Sequence, residues 1–366
     1  RLEDSELIGS RYSFKDARKQ VYYRNTYSRA FTLPTAVGSP ILYTSQCSKP
    51  DMDLSVVVPT LNGCDQLRGC LNAVAEQAPD AELVVVNGPS ADGTTGMVTD
   101  RDDVDVLIEV ASRTATVARN AGIDAASGDV IAFLGDELRV ESGWLAAIAD
   151  GLTEASVVTG PTHRTLRGGI TTESTEQVTI TGRTVTAIAG HNVAFQRAVL
   201  ADIDGFDEYL ETGGAWDVAH RLAAHDHAVA WRPEMSVRRE LEADGGRATR
   251  DWGWTYRALA YRLVKNYGLR PTIARRTLSH AARDAVTAAK DVITGDAQPT
   301  SWVGNGRAVV SGILTGGSDG LVARARDRSE ARNPHGLSKR GDRAVARYEY
   351  GDDEPQDTET ATDSDD

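Results

Sequence analysis

Lysine is scarce in this 366-residue chain, supplying six of the forty basic residues. Cysteine is scarcer still. Cys47, Cys64 and Cys70 are odd in number and form no CxxC or Cys/His cluster, which argues against a disulfide framework and a zinc-ribbon site. No apolar run approaches the roughly 20 residues that cross a bilayer. No signal-peptide pattern is read at the start, so a reduced, cytoplasmic setting is expected. The 40% hydrophobic fraction suits a globular protein.

What the chain has in excess is acid, unevenly placed. The formal net charge of −13 divides into +4 for residues 1–50, −18 for 51–231, +10 for 232–347 and −9 for 348–366. A Lys-poor, Ala/Gly/Val/Asp-rich composition of this kind resembles that of proteins from salt-loving organisms, where an anionic surface keeps the chain soluble. A domain of −18 repels phosphates, so nucleic acid is not expected as a partner.

The pattern divides the chain into four parts. Residues 1–50 lack clear periodicity and read as a poorly ordered extension. Residues 51–235 alternate short strands with helices. Strands are predicted at Leu54–Val58, Leu83–Val86, Val104–Ile108 and Val130–Leu134, and helices near Asp65–Glu76, Thr114–Ala126 and Trp144–Leu152. This alternation predicts an α/β fold with a mostly parallel sheet covered by helices on both faces. Residues 236–347 read as a basic, amphipathic helical extension broken at Pro271, Pro299 and the Gly-rich stretch around Gly316. The polar, acidic tail 348–366 reads as disordered.

In open parallel sheets, ligands bind beyond the carboxyl ends of the strands. The unusual residues of the first domain fall there. "VVVPTLNG" puts Pro59, Thr60, Asn62 and Gly63 after the first strand, and "VVVNGPSADGT" puts Asn87, Ser90, Asp92 and Gly93 after the second. "ASRTATVARNAG" supplies Arg113, Arg119 and Asn120, and "FLGDE" ends the fourth strand with Asp136 and Glu137. Each has an ordinary alternative: Asn-Gly and Asp-Gly form turns, and two acids can open a helix near its positive end.

Taken in order, "LSVVVPTLNG", "LVVVNGPSADGT", "ARNAGIDAASGDVIAFLGDE", "GHNVAF" and "GFDEYLETGGAWDVAHRL" resemble a family 2 glycosyltransferase of GT-A fold over residues 53–235. The resemblance implies inverting transfer of a hexose from a nucleotide-sugar. Pro59, Thr60, Asn62, Asn87, Asp92, Arg119 and Asp136 then become candidate donor contacts. Asn87-Gly88 stands where the family usually has two aspartates, though an Asn carbonyl can still accept from a base N–H. The resemblance makes Glu137, with Asp136, the ligand of Mg²⁺ or Mn²⁺; Gly135 replaces the first acid of the usual Asp-x-Asp. Hard divalent cations accept such carboxylate ligands together with phosphate oxygens.

The same resemblance makes Asp217 the proton acceptor for the attacking hydroxyl, with Trp216 in place of a glutamate; by residue type alone Asp217 is equally a stabilising acid of a helix first turn. His191, Asn192 and Trp216 become candidate acceptor contacts. A Trp there can equally belong to the core, and His220 and His225 are isolated helix histidines.

Between Arg257 and Lys290 stand eight basic residues and one acid, Asp284, mixed with tyrosines and aliphatics. Such helices either lie on an anionic membrane surface or pack as a bundle on the catalytic domain. By resemblance the expected acceptor is a polyprenyl (dolichol) phosphate-linked glycan at the inner face of the cell membrane, in surface-glycan or protein N-glycosylation assembly. Two other readings stay open. A GT-A scaffold could bind a sugar nucleotide without turnover; a nucleotidyltransferase would want a basic, Gly-rich first loop, which "PTLNGCDQ" lacks.

Overall fold

A computed structural model describes residues 52–166, 169–171, 176–239, 251–293 and 299–350. The expected extension at 1–50 lies outside these residues, as does the tail beyond Tyr350.

The first half alternates as β1 (Leu54–Thr60), α1 (Cys64–Gln77), β2 (Glu82–Asn87), α2 (Thr94–Thr99), β3 (Val106–Val110), α3 (Ala115–Ala125), β4 (Val130–Leu134), β5 (Leu138–Val140) and α4 (Trp144–Leu152). Short strands follow as β6 (Val157–Thr159), β7 (Thr162–Leu166), β8 (Gly169–Thr171), β9 (Gln177–Ile180), β10 (Arg183–Thr186) and β11 (Asn192–Gln196). Then come α5 (Arg197–Asp202), α6 (Gly214–Leu222), β12 (Val229–Trp231), β13 (Val237–Arg239), α7 (Trp252–Tyr267), α8 (Pro271–Ile293), α9 (Pro299–Arg326) and β14 (Ala344–Glu349).

The main sheet runs β12-β6-β11-β4-β1-β2-β3-β14. Its centre is parallel, β3-β2-β1-β4, and β11 and β14 pair antiparallel to β4 and β3. The valines of β1 show why it forms. Val57 packs with α3 and α6 on one face, whereas Val56 and Val58 pack with α1 and α4 on the other. A strand buried on both faces is apolar throughout rather than alternating. The third strand lies two residues beyond its predicted span, because Asp105 accepts from the Leu83 amide and ends the loop there.

From β1 one crossover leads to β2 on one side, and another arrives from β3 at β4 on the other. The strand order therefore reverses between β1 and β4, which makes the crevice beyond their carboxyl ends the natural ligand site.

Among the described residues the C-terminal region contains the α-helices α7, α8 and α9, and Pro271 and Pro299 open α8 and α9, where a proline loses no helical hydrogen bond. Gly316 does not break its helix. Added Cβ atoms at Gly312, Gly316 and Gly320 would lie 2.4, 2.1 and 2.7 Å from backbone oxygens of Gly253, Arg257 and Tyr261. The glycines thus let α9 press against the backbone of α7. This region also contributes strands: β13 pairs with β5 and β7, and β14 extends the main sheet, so Tyr348 and Glu349 are ordered in a strand. Among the described residues, no helix is long and apolar enough to cross a membrane.

Candidate active site

Asp136 and Glu137 stand immediately beyond β4, at the strand-order reversal. The Thr60 hydroxyl, at the end of β1, donates to Asp136 Oδ2 at 2.7 Å, so one hydrogen bond spans the crevice. Glu137 forms an ion pair with Arg239 of β13. Cys70 Sγ lies 3.5 Å from the Gly135 carbonyl; burial and the charge of Asp136 push this thiol up, so it is inert as a nucleophile.

The two acids are unequal. Burial first, then the hydrogen bond and charge of Glu137, push the Asp136 carboxyl up to about 8. Glu137 is held below its usual value; burial opposes this, but Arg239 and the bond from Asp136 outweigh it. The pair therefore shares a proton at neutral pH, carrying one negative charge in a place with oxygen ligands for two. These hard oxygens fit Mg²⁺ or Mn²⁺, provided a ligand supplies further oxygens. Among the described residues no group of three or more His, Cys, Asp or Glu can hold a metal unaided.

Beside this crevice the two nearest loops are tied together. The Asn62 amide N–H donates to Ser90 Oγ, Asn62 Oδ1 accepts from the Ala91 N–H, and Asp92 accepts from the Cys64 N–H at 3.0 Å. Asn62 has φ of 53°, a left-handed conformation that Asn tolerates better than most residues. Asn87 is buried, donating to Thr95 Oγ1 and accepting from Ser90 Oγ. Pro59 completes the β1 edge. Five of the seven expected donor residues (Pro59, Thr60, Asn62, Asn87 and Asp92) thus frame the crevice with Asp136.

Arg119 lies deeper. It is buried in α3 with its guanidinium 5.3 Å from the Phe206 ring centre. Its neighbour Asn120 donates to the Phe206 carbonyl and to Glu208, and accepts from the Phe206 N–H, fixing the loop before α6.

Of the expected acceptor contacts, His191 has its Nε2 3.0 Å from Thr162 Oγ1. Asn192 is buried with both amide ends used: it accepts from Trp144 Nε1 at 3.0 Å and donates to the Met235 carbonyl at 2.8 Å. It joins the sheet to α4. Trp216 is half-buried against the core, with Arg262 5.7 Å from its ring centre.

Asp217 differs most from its expected setting. Its side chain is 0% exposed. It accepts from Arg221 Nε at 2.9 Å, Lys265 Nζ at 2.8 Å and Asn266 Nδ2 at 2.9 Å. Lys265 also donates to Asp207 Oδ2 at 2.6 Å, and Tyr261 donates to the same oxygen. Burial raises both aspartates, yet Lys265 and, for Asp217, Arg221 outweigh it and hold both carboxyls below their usual range. An acid in this state is a poor proton acceptor. As folded, Asp217 is the counter-ion that ties α6 to α7.

Sequence reading missed this network. One signal was present: Asp217 and Arg221 are four apart on one helix, the spacing of an internal ion pair. Lys265 and Asp207 carried none, since 58 residues separate them.

Residues 55–202 match the family described as glycosyl transferase family 2. Over 196 residues the chain is 29% identical to glycosyltransferase AglE of Haloferax volcanii, covering 47% of this chain and 64% of that one. It is 23% identical over 220 residues to the pre-mycofactocin glycosyltransferase of Mycobacterium tuberculosis, covering 55% of this chain and 44% of the relative. The chain thus spans less than two thirds of these relatives. Among solved structures, S. aureus TarS 1-349 in complex with UDP superposes with a TM-score of 0.50 at 17% identity, over 77% of this chain and 89% of that one, a likeness of fold. The chain carries a family 2 glycosyltransferase domain with the GT-A fold.

Proposed function

We propose that this domain transfers a hexose from a nucleotide-sugar to an acceptor hydroxyl, with inversion. One observation carries the reading. A proton-sharing carboxylate pair stands at the strand-order reversal, bonded across it to Thr60, with loops from β1 and β2 framing the crevice. In this reading Asp136 and Glu137 would hold Mg²⁺ or Mn²⁺, which would supply positive charge to offset that of the diphosphate. Thr60 orients Asp136, and Arg239 keeps Glu137 ionised. Asn87 offers its carbonyl side to the donor base in exchange for Ser90.

For Asp217 to take the hydroxyl proton, substrate binding must free an oxygen from Lys265, Asn266 or Arg221. The closed state of that network favours a second reading, in which the domain binds the sugar nucleotide without turnover. Purified protein assayed with a panel of UDP- and GDP-sugars, with and without chelator, separates the two. The first reading expects chelator-sensitive transfer that Glu137→Gln abolishes; binding of donor with no transfer to any acceptor favours the second.

A polyprenyl phosphate-linked acceptor at the inner membrane face is proposed on the surface of α8. Leu278 and Val286 are 60% and 70% exposed, on the same helix as the exposed Arg275 and Arg283. Half-exposed apolar and cationic side chains on one helix suit an anionic lipid surface. Leu278→Ser with Val286→Ser should then reduce flotation with anionic vesicles; unchanged flotation removes this part of the reading.

A further inference from the structure

Four arginines meet where no acid answers them. A cavity of about 410 Å³ lies between the β9–β10 turn, the end of α6, the end of α7 and the segment after α9. Arg183, Arg270, Arg324 and Arg332 line it, with Asn266 and Tyr267, and no carboxylate lines it at all. Among the described residues, Arg183, Arg270 and Arg332 have no ion-pair partner, and Arg183 and Arg270 stand exposed at the cavity's rim, whereas the buried Lys265 and Arg343 are paired.

The cavity is held open by construction. Arg324 donates to the last carbonyls of α7, Lys265 at 2.9 Å and Asn266 at 3.1 Å, which fixes its guanidinium. The chain leaves α7 through Gly268 at φ 75°, where a side chain would press on Arg324. Thr181 and Gly182, at φ 50° and 83°, form the tight turn that sets Arg183 at the rim. Burial and the charges of Arg332 and Arg270 hold the Arg324 guanidinium below its usual range, the sign of crowded like charges.

We infer that this cavity is a second binding site, for a phosphate or diphosphate ester, separate from the carboxylate pair at β4. Guanidinium forks match phosphate oxygens two at a time. A dianion bridging them relieves their mutual repulsion. The volume exceeds what a phosphate fills and suits an ester carrying a further group. Ala224, just beyond α6, lines the cavity, while Asp217 occupies the first turn of that helix. Asn266 lines the cavity and donates to Asp217, so an occupied cavity and the buried network share a residue. The inference does not depend on the transfer reading.

The chemistry can come from a free ester or from a lipid headgroup, and the test has an arm for each. Full-length protein is titrated with pyrophosphate at fixed salt in the presence of chelator, so that no cation serves the carboxylate pair. Wild-type protein and Glu137→Gln should bind alike, and Arg270→Gln with Arg332→Gln should bind at least tenfold more weakly. Thr181→Asp, which adds a carboxylate at the rim in a conformation Asp tolerates, should weaken binding without touching the core. Pyrophosphate binding that is absent from wild type, unchanged in both cavity variants, or lost only in Glu137→Gln overturns the inference. Flotation with phosphatidic acid vesicles, against phosphatidylcholine alone, then separates the sources. Loss of flotation in the arginine variant assigns a headgroup, and unaltered flotation assigns a free ester.

Discussion

Two carboxylate pairs in this domain are balanced differently: one member of the β4 pair, Asp136, is raised, whereas both members of the pair beside α6 are lowered. At β4, Asp136 and Glu137 have one cation, Arg239, and burial prevails, so Asp136 holds its proton to about 8. Beside α6, Asp207 and Asp217 have Lys265 and Arg221, both fully buried with them, and remain ionised. The pairs differ in depth, with Glu137 30% exposed and both aspartates beside α6 at 0%, and in the count of cations that face them. A buried acid whose charge is already balanced is part of the scaffold. One whose charge is not balanced is a site still short of a positive partner.

The most damaging way to erase this difference is to remove Lys265. Lys265→Met leaves Asp217 with Arg221 and Asp207 with His335, and breaking a buried pair costs about 3–5 kcal/mol. Thermal unfolding should show a large loss of stability, and Asp207→Asn in the same chain should recover part of it. An unchanged midpoint would mean the network contributes nothing net.

Next in size is the site itself. Glu137→Gln should lower metal-dependent transfer by roughly a hundredfold or more, with the unfolding midpoint near that of wild type. Comparable stability loss and unaltered rate per folded molecule would reverse the roles assigned to the two pairs.

A smaller effect is expected from the histidine beneath the balanced pair. His220 faces Arg262, Arg276 and Lys265, with Asp217 opposing them, and the hydroxyl of Tyr267 is 3.0 Å from its Nδ1. Burial first, then Arg262, push it down to about 3. The unfolded chain therefore binds a proton that the folded one does not, so stability falls as pH drops through about 6.5 toward 3. Denaturant unfolding at stepped pH should show a shallower fall for His220→Gln. Equal slopes would show that His220 becomes charged inside the fold.

The smallest expected change concerns the arginine cavity. Without ligand, Arg270→Gln with Arg332→Gln should leave stability within about 0.5 kcal/mol of wild type, since it removes repulsion rather than an ion pair.

Much of the sheet was legible because a doubly buried strand must be apolar, as "VVV" in β1 and β2 shows. The carboxylates beyond β4 were legible because strand end and motif coincide there. The ion-pair setting of Asp217 was not, because its partner Lys265 stands 48 residues later. Gly316 misled for a related reason: only contact with α7 distinguishes a helix-breaking glycine from one that lets two backbones meet. The +10 of the C-terminal region is partly internal as well. Arg343, just before β14, pairs with Glu208 and Asp124 of the first domain, so a share of that charge is met inside the protein rather than facing a membrane.

The central claim is that the β4 pair completes itself with a divalent cation and a nucleoside diphosphate. Electron paramagnetic resonance titration of free Mn²⁺ into the protein, with UDP or GDP present, reads this directly. Wild-type protein should deplete the free Mn²⁺ signal saturably and more tightly with one of the nucleotides than without, and Asp136→Asn or Glu137→Gln should weaken that binding at least tenfold. Mn²⁺ binding that is absent from wild type with either nucleotide, or undiminished in both variants, would contradict the account.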